Sequence, residues 1–278
     1  MQDITVTKLK NAVNELGYEI LMLNSPLDKV TQTNLVRQQW VDGLLKVSPD
    51  LTINDSCHAG WPKKPELVEF NQLPKRTVGS IKGHASMMHS FAHIEFNAIN
   101  IAWDAVYRFT DMPDQYYDDW SRIAQEEAYH FTLINDYLKT LGYEYGSFPA
   151  HRGLWEMVEE TRHDVMVRMA LVPRVLEARG LDVTPDIIKK FTHHGHQEAA
   201  DILSIIYRDE IGHVDVGSRW FNYLCKKRGI DAHKTFVNLI EQYAVDKIRQ
   251  PFNEVARMKA GFSKQEMEYL NQCTKLQK

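Results

Sequence analysis

Two short motifs of one kind, Glu127-Ala128-Tyr129-His130 and Glu210-Ile211-Gly212-His213, stand 83 residues apart, and a glutamate precedes each at nearly the same interval. Glu95 lies 32 residues before Glu127, and Glu177 lies 33 before Glu210. On a helix, residues i and i+3 share a face, so each Glu-x-x-His turns a carboxylate and an imidazole toward one point. Two divalent cations would be neutralised by the four carboxylates, with the imidazoles completing the donor set. The pattern therefore predicts a site for two divalent metal ions, with Glu95, Glu127, His130, Glu177, Glu210 and His213 as ligands. Carboxylate and nitrogen donors without thiolate favour iron over manganese, although ligand softness does not separate these from zinc or cobalt.

The apolar neighbours of the acids support inward placement. Glu95 is flanked at helical spacing by Phe91, Ala92, Ala98 and Ile99, Glu127 by Ile123, Ala124, Phe131 and Ile134, and Glu210 by Leu203, Ile206, Tyr207 and Val214. A buried carboxylate needs a partner or a proton, and a metal pair accounts for all four together. One Glu-x-x-His on a solvated face would carry no such weight; two in register do.

Residues beside the ligands suggest supporting roles. Glu126 and Asp209 each precede a ligand glutamate and leave the helix about 100° around from it. Asp209 can accept the ring N–H of His130, and Glu126 that of His213, fixing tautomer and orientation; ion pairs with Arg208 and Arg122 are the competing assignments. Arg174 lies a turn before Glu177 and can meet an anionic substrate group or a nearby acid, the latter being preferred. Tyr207 shares the face of Glu210, as a redox group or, more ordinarily, as packing. Pro173 and Gly212 disfavour a regular helix next to ligands, pointing to a local widening or kink, or at Gly212 to close helix packing. His89 with His93, and the cluster His193-His194-Gly195-His196, read as structural histidines.

The elements that must carry these groups are helices. Residues 1–80 hold helices around Thr5–Leu23 and Asp28–Lys46, then an irregular stretch with Trp61-Pro62-Lys63-Lys64-Pro65 expected to wrap over the bundle. Long helices are predicted at about 83–109, from Asp111-Met112-Pro113 to Leu141, at 154–179 in one or two pieces, and at 197–227. Gly180 is expected to stop the third, and Thr184-Pro185 to start a short helix that breaks near Gly195. Two more helices, about 232–259 and 263–275, complete an all-α chain organised as 1–80, a bundle over 81–229, and 230–278.

With these residues in view, the chain resembles the ferritin-like di-metal carboxylate superfamily, whose four-helix bundles supply one Glu from each of two helices and Glu-x-x-His from the other two. The segments His93-Ile94-Glu95, Gly153-Leu154-Trp155-Glu156-Met157, Val172-Pro173-Arg174-Val175-Leu176-Glu177-Ala178-Arg179-Gly180 and Arg208-Asp209-Glu210-Ile211-Gly212-His213-Val214 further resemble a ferritin-like bacterial branch of unknown function. The resemblance implies an all-α, ferritin-like four-helix bundle with added N- and C-terminal helices. It also implies a di-iron oxidoreductase that activates O2 to oxidise or hydroxylate a small molecule, with an electron donor as a further partner. Ferroxidase or iron-storage activity, manganese-dependent peroxide disproportionation and tRNA hydroxylation use similar bundles. More than 100 residues outside 83–229 count against a storage cage wall, and a monomer or small homo-oligomer is expected.

Composition sets the outer limits. At 278 residues and 44% hydrophobic content the chain can bury a large core. A net charge of −4 counts against a protein that grips phosphate backbones, tRNA included. No apolar run spans a bilayer and no signal-peptide pattern opens the chain. Cys57, Cys225 and Cys273 have no disulfide or zinc spacing, which suits a reducing cytoplasm.

Overall fold

A computed structural model describes residues 11–55, 58–69, 72–73, 78–151 and 153–276. Among them the regular structure is helical, and β pairing is confined to two isolated bridges, Ala12 with Lys46 and Leu67 with Ala150. The chain is all-α. Among the described residues eleven α-helices follow in order: α1 (Val13–Met22), α2 (Pro26–Val41), α3 (Ile81–Arg108), α4 (Asp114–Thr140), α5 (Gly153–Glu160), α6 (Val165–Leu171), α7 (Ala178–His193), α8 (Gln197–Arg228), α9 (Ala232–Tyr243), α10 (Glu254–Lys259) and α11 (Lys264–Leu276). A π-helical segment, Val172–Glu177, joins α6 to α7. The part of the first predicted helix before residue 11 lies outside the described residues.

The described residues form two compact units, those within 1–63 and 98–128 and those within 64–97 and 129–278, so α3 and α4 each contribute to both. In the first unit, Ser25 caps α2 by accepting from Asp28 N, with Pro26 at the first helical position. Lys29 is fully buried, its ammonium donating at 2.9 Å to the carbonyls of Ile20 and Leu21 and also to Asn100 Oδ1. Those are last-turn carbonyls of α1, so the cation meets the negative end of that helix dipole. Trp103 Nε1 donates to Thr33 Oγ1 at 2.9 Å, and Arg37 pairs with Asp118 at 2.6 Å.

In the second unit, α7 packs along α8, and α6 and the π segment also pack on α8. Here the boundaries differ from expectation. The predicted helix over 154–179 is α5, a break at 161–164, α6 and the π segment; Asp164 restarts it by capping Met166 N at 2.7 Å. Gly180 does not stop the chain, and Thr184-Pro185 does not start a new helix, because α7 runs unbroken through both. Pro185 leaves the Leu181 carbonyl without its intrahelical donor, and Asn253 Nδ2 donates to that oxygen at 3.2 Å. A group 72 residues along the chain thus makes the mid-helix proline tolerable. Gly195, at φ +77°, does end α7. The helix predicted over 232–259 is also divided, into α9, a 3-10 turn at Val245–Lys247, and α10.

Candidate metal centre

Two groups of donors converge. Glu95, Glu127 and His130 offer one ligand atom each within 4.8 Å of one another, and so do Glu127, Glu210 and His213. Glu127 belongs to both. Long helices set these positions: Glu95 on α3, Glu127 and His130 one turn apart on α4, Glu210 and His213 one turn apart on α8. Glu95, Glu127, His130 and His213 are all at most 2% exposed, and Glu210 is half-buried.

Each imidazole turns its Nδ1 toward a carboxylate of these groups. His130 Nδ1 lies 3.4 Å from Glu95 Oε2, while its Nε2 lies 3.1 Å from Asp209 Oδ2. An Nε2–H donated to Asp209 leaves Nδ1 as the lone-pair nitrogen turned toward the carboxylates. His213 Nδ1 likewise lies 3.7 Å from Glu210 Oε1, and the two imidazole rings are 5.9 Å apart. Burial raises the Asp209 pKa, but hydrogen bonds from Arg208 and His130 outweigh it and hold the group below its ordinary value. Such a buried set of carboxylates and neutral imidazoles can hold a hard or borderline divalent ion.

The other singled-out residues divide. Glu177 ends the π segment, is half-buried, and is not in either convergent group. Both oxygens of Glu126 accept from Arg122 Nη1, at 2.8 Å each. Tyr207 OH accepts from Asn253 Nδ2 at 3.0 Å, a contact with the residue that caps α10. Arg174 turns to Glu266, at 2.7 Å, on the C-terminal helix α11. The widening expected near Pro173 is present as the π segment. At Gly212 neither expectation holds: α8 continues without interruption, and a Cβ there would meet nothing within 4 Å. Close packing occurs five residues on, at Gly217, where a Cβ would lie 2.3 Å from Pro173 Cγ. His89 accepts from Gly146 N at 2.9 Å, and His93 bonds Tyr145 OH and the His151 carbonyl, both at 2.9 Å.

The family model described as "Protein of unknown function (DUF455)" matches residues 22–268. The chain belongs to the DUF455 family. An "Uncharacterized protein" of Haemophilus influenzae (strain ATCC 51907 / DSM 11121 / KW20 / Rd) is 46% identical over 229 residues, 80% of this chain and 79% of that one. No solved structure matches. Among the described residues of this DUF455 chain, no helix is long and apolar enough to cross a membrane.

Sequence reasoning missed Glu266 and His84. Glu266 carried a signal, since Ser263-x-x-Glu266 is a capping-box pattern, and the box forms: Ser263 N donates to Glu266 Oε2 at 2.7 Å and Glu266 N to Ser263 Oγ at 3.2 Å. His84, buried against His196 with ring centroids 4.0 Å apart, had none.

Proposed function

We propose that this DUF455 protein is a ferritin-like di-metal carboxylate enzyme, with two iron ions held by Glu95, Glu127, His130, Glu177, Glu210 and His213, that uses O2 to oxidise or hydroxylate a small molecule. The observation that carries the reading is the membership of Glu127 in both donor groups. A carboxylate has two oxygens, and one placed between two sites can serve each with one of them. Bound there, the metal pair would supply Lewis acidity and the electrons for O2 reduction. The chain's own contribution is charge, orientation and exclusion of water. Glu95 and Glu210 offset the positive charge on either side of Glu127, and Asp209 holds His130 with Nδ1 facing inward. Burial of four of the donors keeps bulk water from the reacting centre.

Anaerobic Fe(II) titration tests this. Saturation near two ions per chain is expected, followed on O2 addition by oxidation without mineral growth. Glu127→Ala is expected to abolish binding of both ions, whereas Glu95→Ala weakens chiefly one. Retention of two ions by Glu127→Ala would reject the shared-carboxylate site. Uptake far beyond two ions, in a large shell, would favour storage instead.

A further inference from the structure

We propose, resting on the dinuclear reading above, that Arg174 and Glu266 are positioning residues for the metal site. Together they hold the π register of Val172–Glu177 and so fix the direction in which Glu177 leaves its helix.

In an α-helix, three residues turn about 300°, so Arg174 and Glu177 would lie on one face and the guanidinium would be the carboxylate's nearest partner. A π turn of about 4.4 residues advances about 82° per residue, so the same two side chains lie about 115° apart around the helix instead of about 60°. The widened segment therefore separates a cation from an acid that straight helix would pair.

The structure shows where the cation goes instead. The guanidinium of Arg174 is fully buried over three rings, Phe236 at 4.2 Å, Phe262 at 4.6 Å and Phe221 at 4.9 Å. Its Nη2 donates to Glu266 Oε1 at 2.7 Å and its Nε to Ser218 Oγ at 3.1 Å. Glu266 is itself fixed, because its other oxygen closes the capping box with Ser263 at the start of α11. Pro173, packed on Gly217 of α8, keeps the segment from sliding along the helix that bears Glu210 and His213. A buried guanidinium that loses its counter-charge must find another acid. Return toward α register would bring it to Glu177, in competition with the metal.

The test uses full-length protein loaded with Co(II), read by elemental stoichiometry, visible absorption and melting temperature. Glu266→Gln removes the charge yet can still accept from Ser263 N. It should weaken the second cobalt by about ten- to a hundredfold and alter the absorption, leaving the first within about twofold. Glu266→Asp should restore the wild-type spectrum. Ser263→Ala, which removes the cap and keeps the charge, should lower the melting temperature while both affinities stay within about twofold. Should Glu266→Gln not fold, Ser218→Ala carries the same expectation at about threefold. A folded Glu266→Gln with lowered melting temperature but unchanged affinities and spectrum would make the pair merely structural and overturn the proposal. Wild type that fails to take two ions, or Glu127→Ala/Glu210→Ala that takes two, rejects the dinuclear reading and the positioning role with it.

Discussion

Gly212→Ala and Gly217→Ala, identical changes five residues apart on α8, should move stability in opposite directions. Neither glycine has a positive φ, so alanine brings about 1 kcal/mol of helix propensity at both. Gly212 is exposed, and a Cβ there meets nothing within 4 Å, so that contribution is net and raises the melting temperature by about 2 °C. At Gly217 a Cβ would sit 2.3 Å from Cγ and 2.6 Å from Cβ of Pro173. The proline ring cannot rotate aside. Restoring ordinary contact requires α8 and the π segment to part by about 1 Å, and overpacking of this kind costs about 1–3 kcal/mol. Because the displaced surface is the seam under Arg174, the upper end of that range applies, and the net loss is about 2 kcal/mol, or about 4 °C. Thermal and urea unfolding of metal-free protein would measure both, with about 6 °C expected between the two variants. Melting temperatures that coincide, or Gly217→Ala as the more stable, would show that the π segment is not wedged against α8.

Two pH-dependent effects follow from buried charge. Asp164 is driven up by burial but driven further down by Arg228 and the Met166 amide, so its folded pKa lies below its unfolded value. Its contribution is therefore present above the unfolded value, about pH 4, and lost as pH falls through the folded one. Asp164→Asn, which keeps a capping oxygen but breaks the 2.7 Å pair with Arg228, should cost about 1 kcal/mol at pH 7 and progressively less as pH falls below about 4; a cost that does not decline with pH, by urea midpoints, would refute the ion pair. His84 is pushed down from 6.5 to about 4, first by burial and then by His196. Its neutral form, accepting from Tyr137 OH at 3.0 Å, is the folded form. Stability should be full above about pH 6.5 and fall by roughly 2–3 kcal/mol down to pH 4. His84→Gln should remove most of that slope, and an unaltered slope would place the titration elsewhere.

What was legible in the sequence was local and periodic. Glu-x-x-His on α4 and α8 could be read because two residues one turn apart carry their own geometry, and Glu95 because its neighbours form an apolar stripe. The long helices could be read for the same reason, α8 ending at Arg228 within a residue of expectation. What escaped depended on distant partners. Gly180 and Pro185 carry the signature of a helix end, and α7 passes through them because a C-terminal amide supplies the missing donor to Leu181. Gly212, conspicuous between Glu210 and His213, makes no close approach, whereas Gly217, inconspicuous in sequence, makes the tight one. Arg174 was placed on the face of Glu177 by α-helical spacing, and the π turn removes that premise.

The C-terminal residues 249–266 then have a common task. Arg257 pairs with Asp182 at 2.7 Å and reaches the Ala178 carbonyl, Arg179 donates to the carbonyls of Arg249 and Pro251 at 2.9 Å each, and Asn253 mends the proline gap. Glu266 receives Arg174. These contacts bracket Glu177 in sequence, from three residues before it to five after. A carboxylate on a long regular helix, such as Glu95 or Glu127, needs no such bracket, because intrahelical bonds already fix its direction. One at the end of a π segment does, since its backbone bonds are irregular and the turn can relax into α register at modest cost. The position with least intrinsic definition is thus the one that receives the most external support. On the dinuclear reading, adjustment of the site on metal loading would be concentrated at Glu177, while the α3, α4 and α8 donors stay where their helices put them.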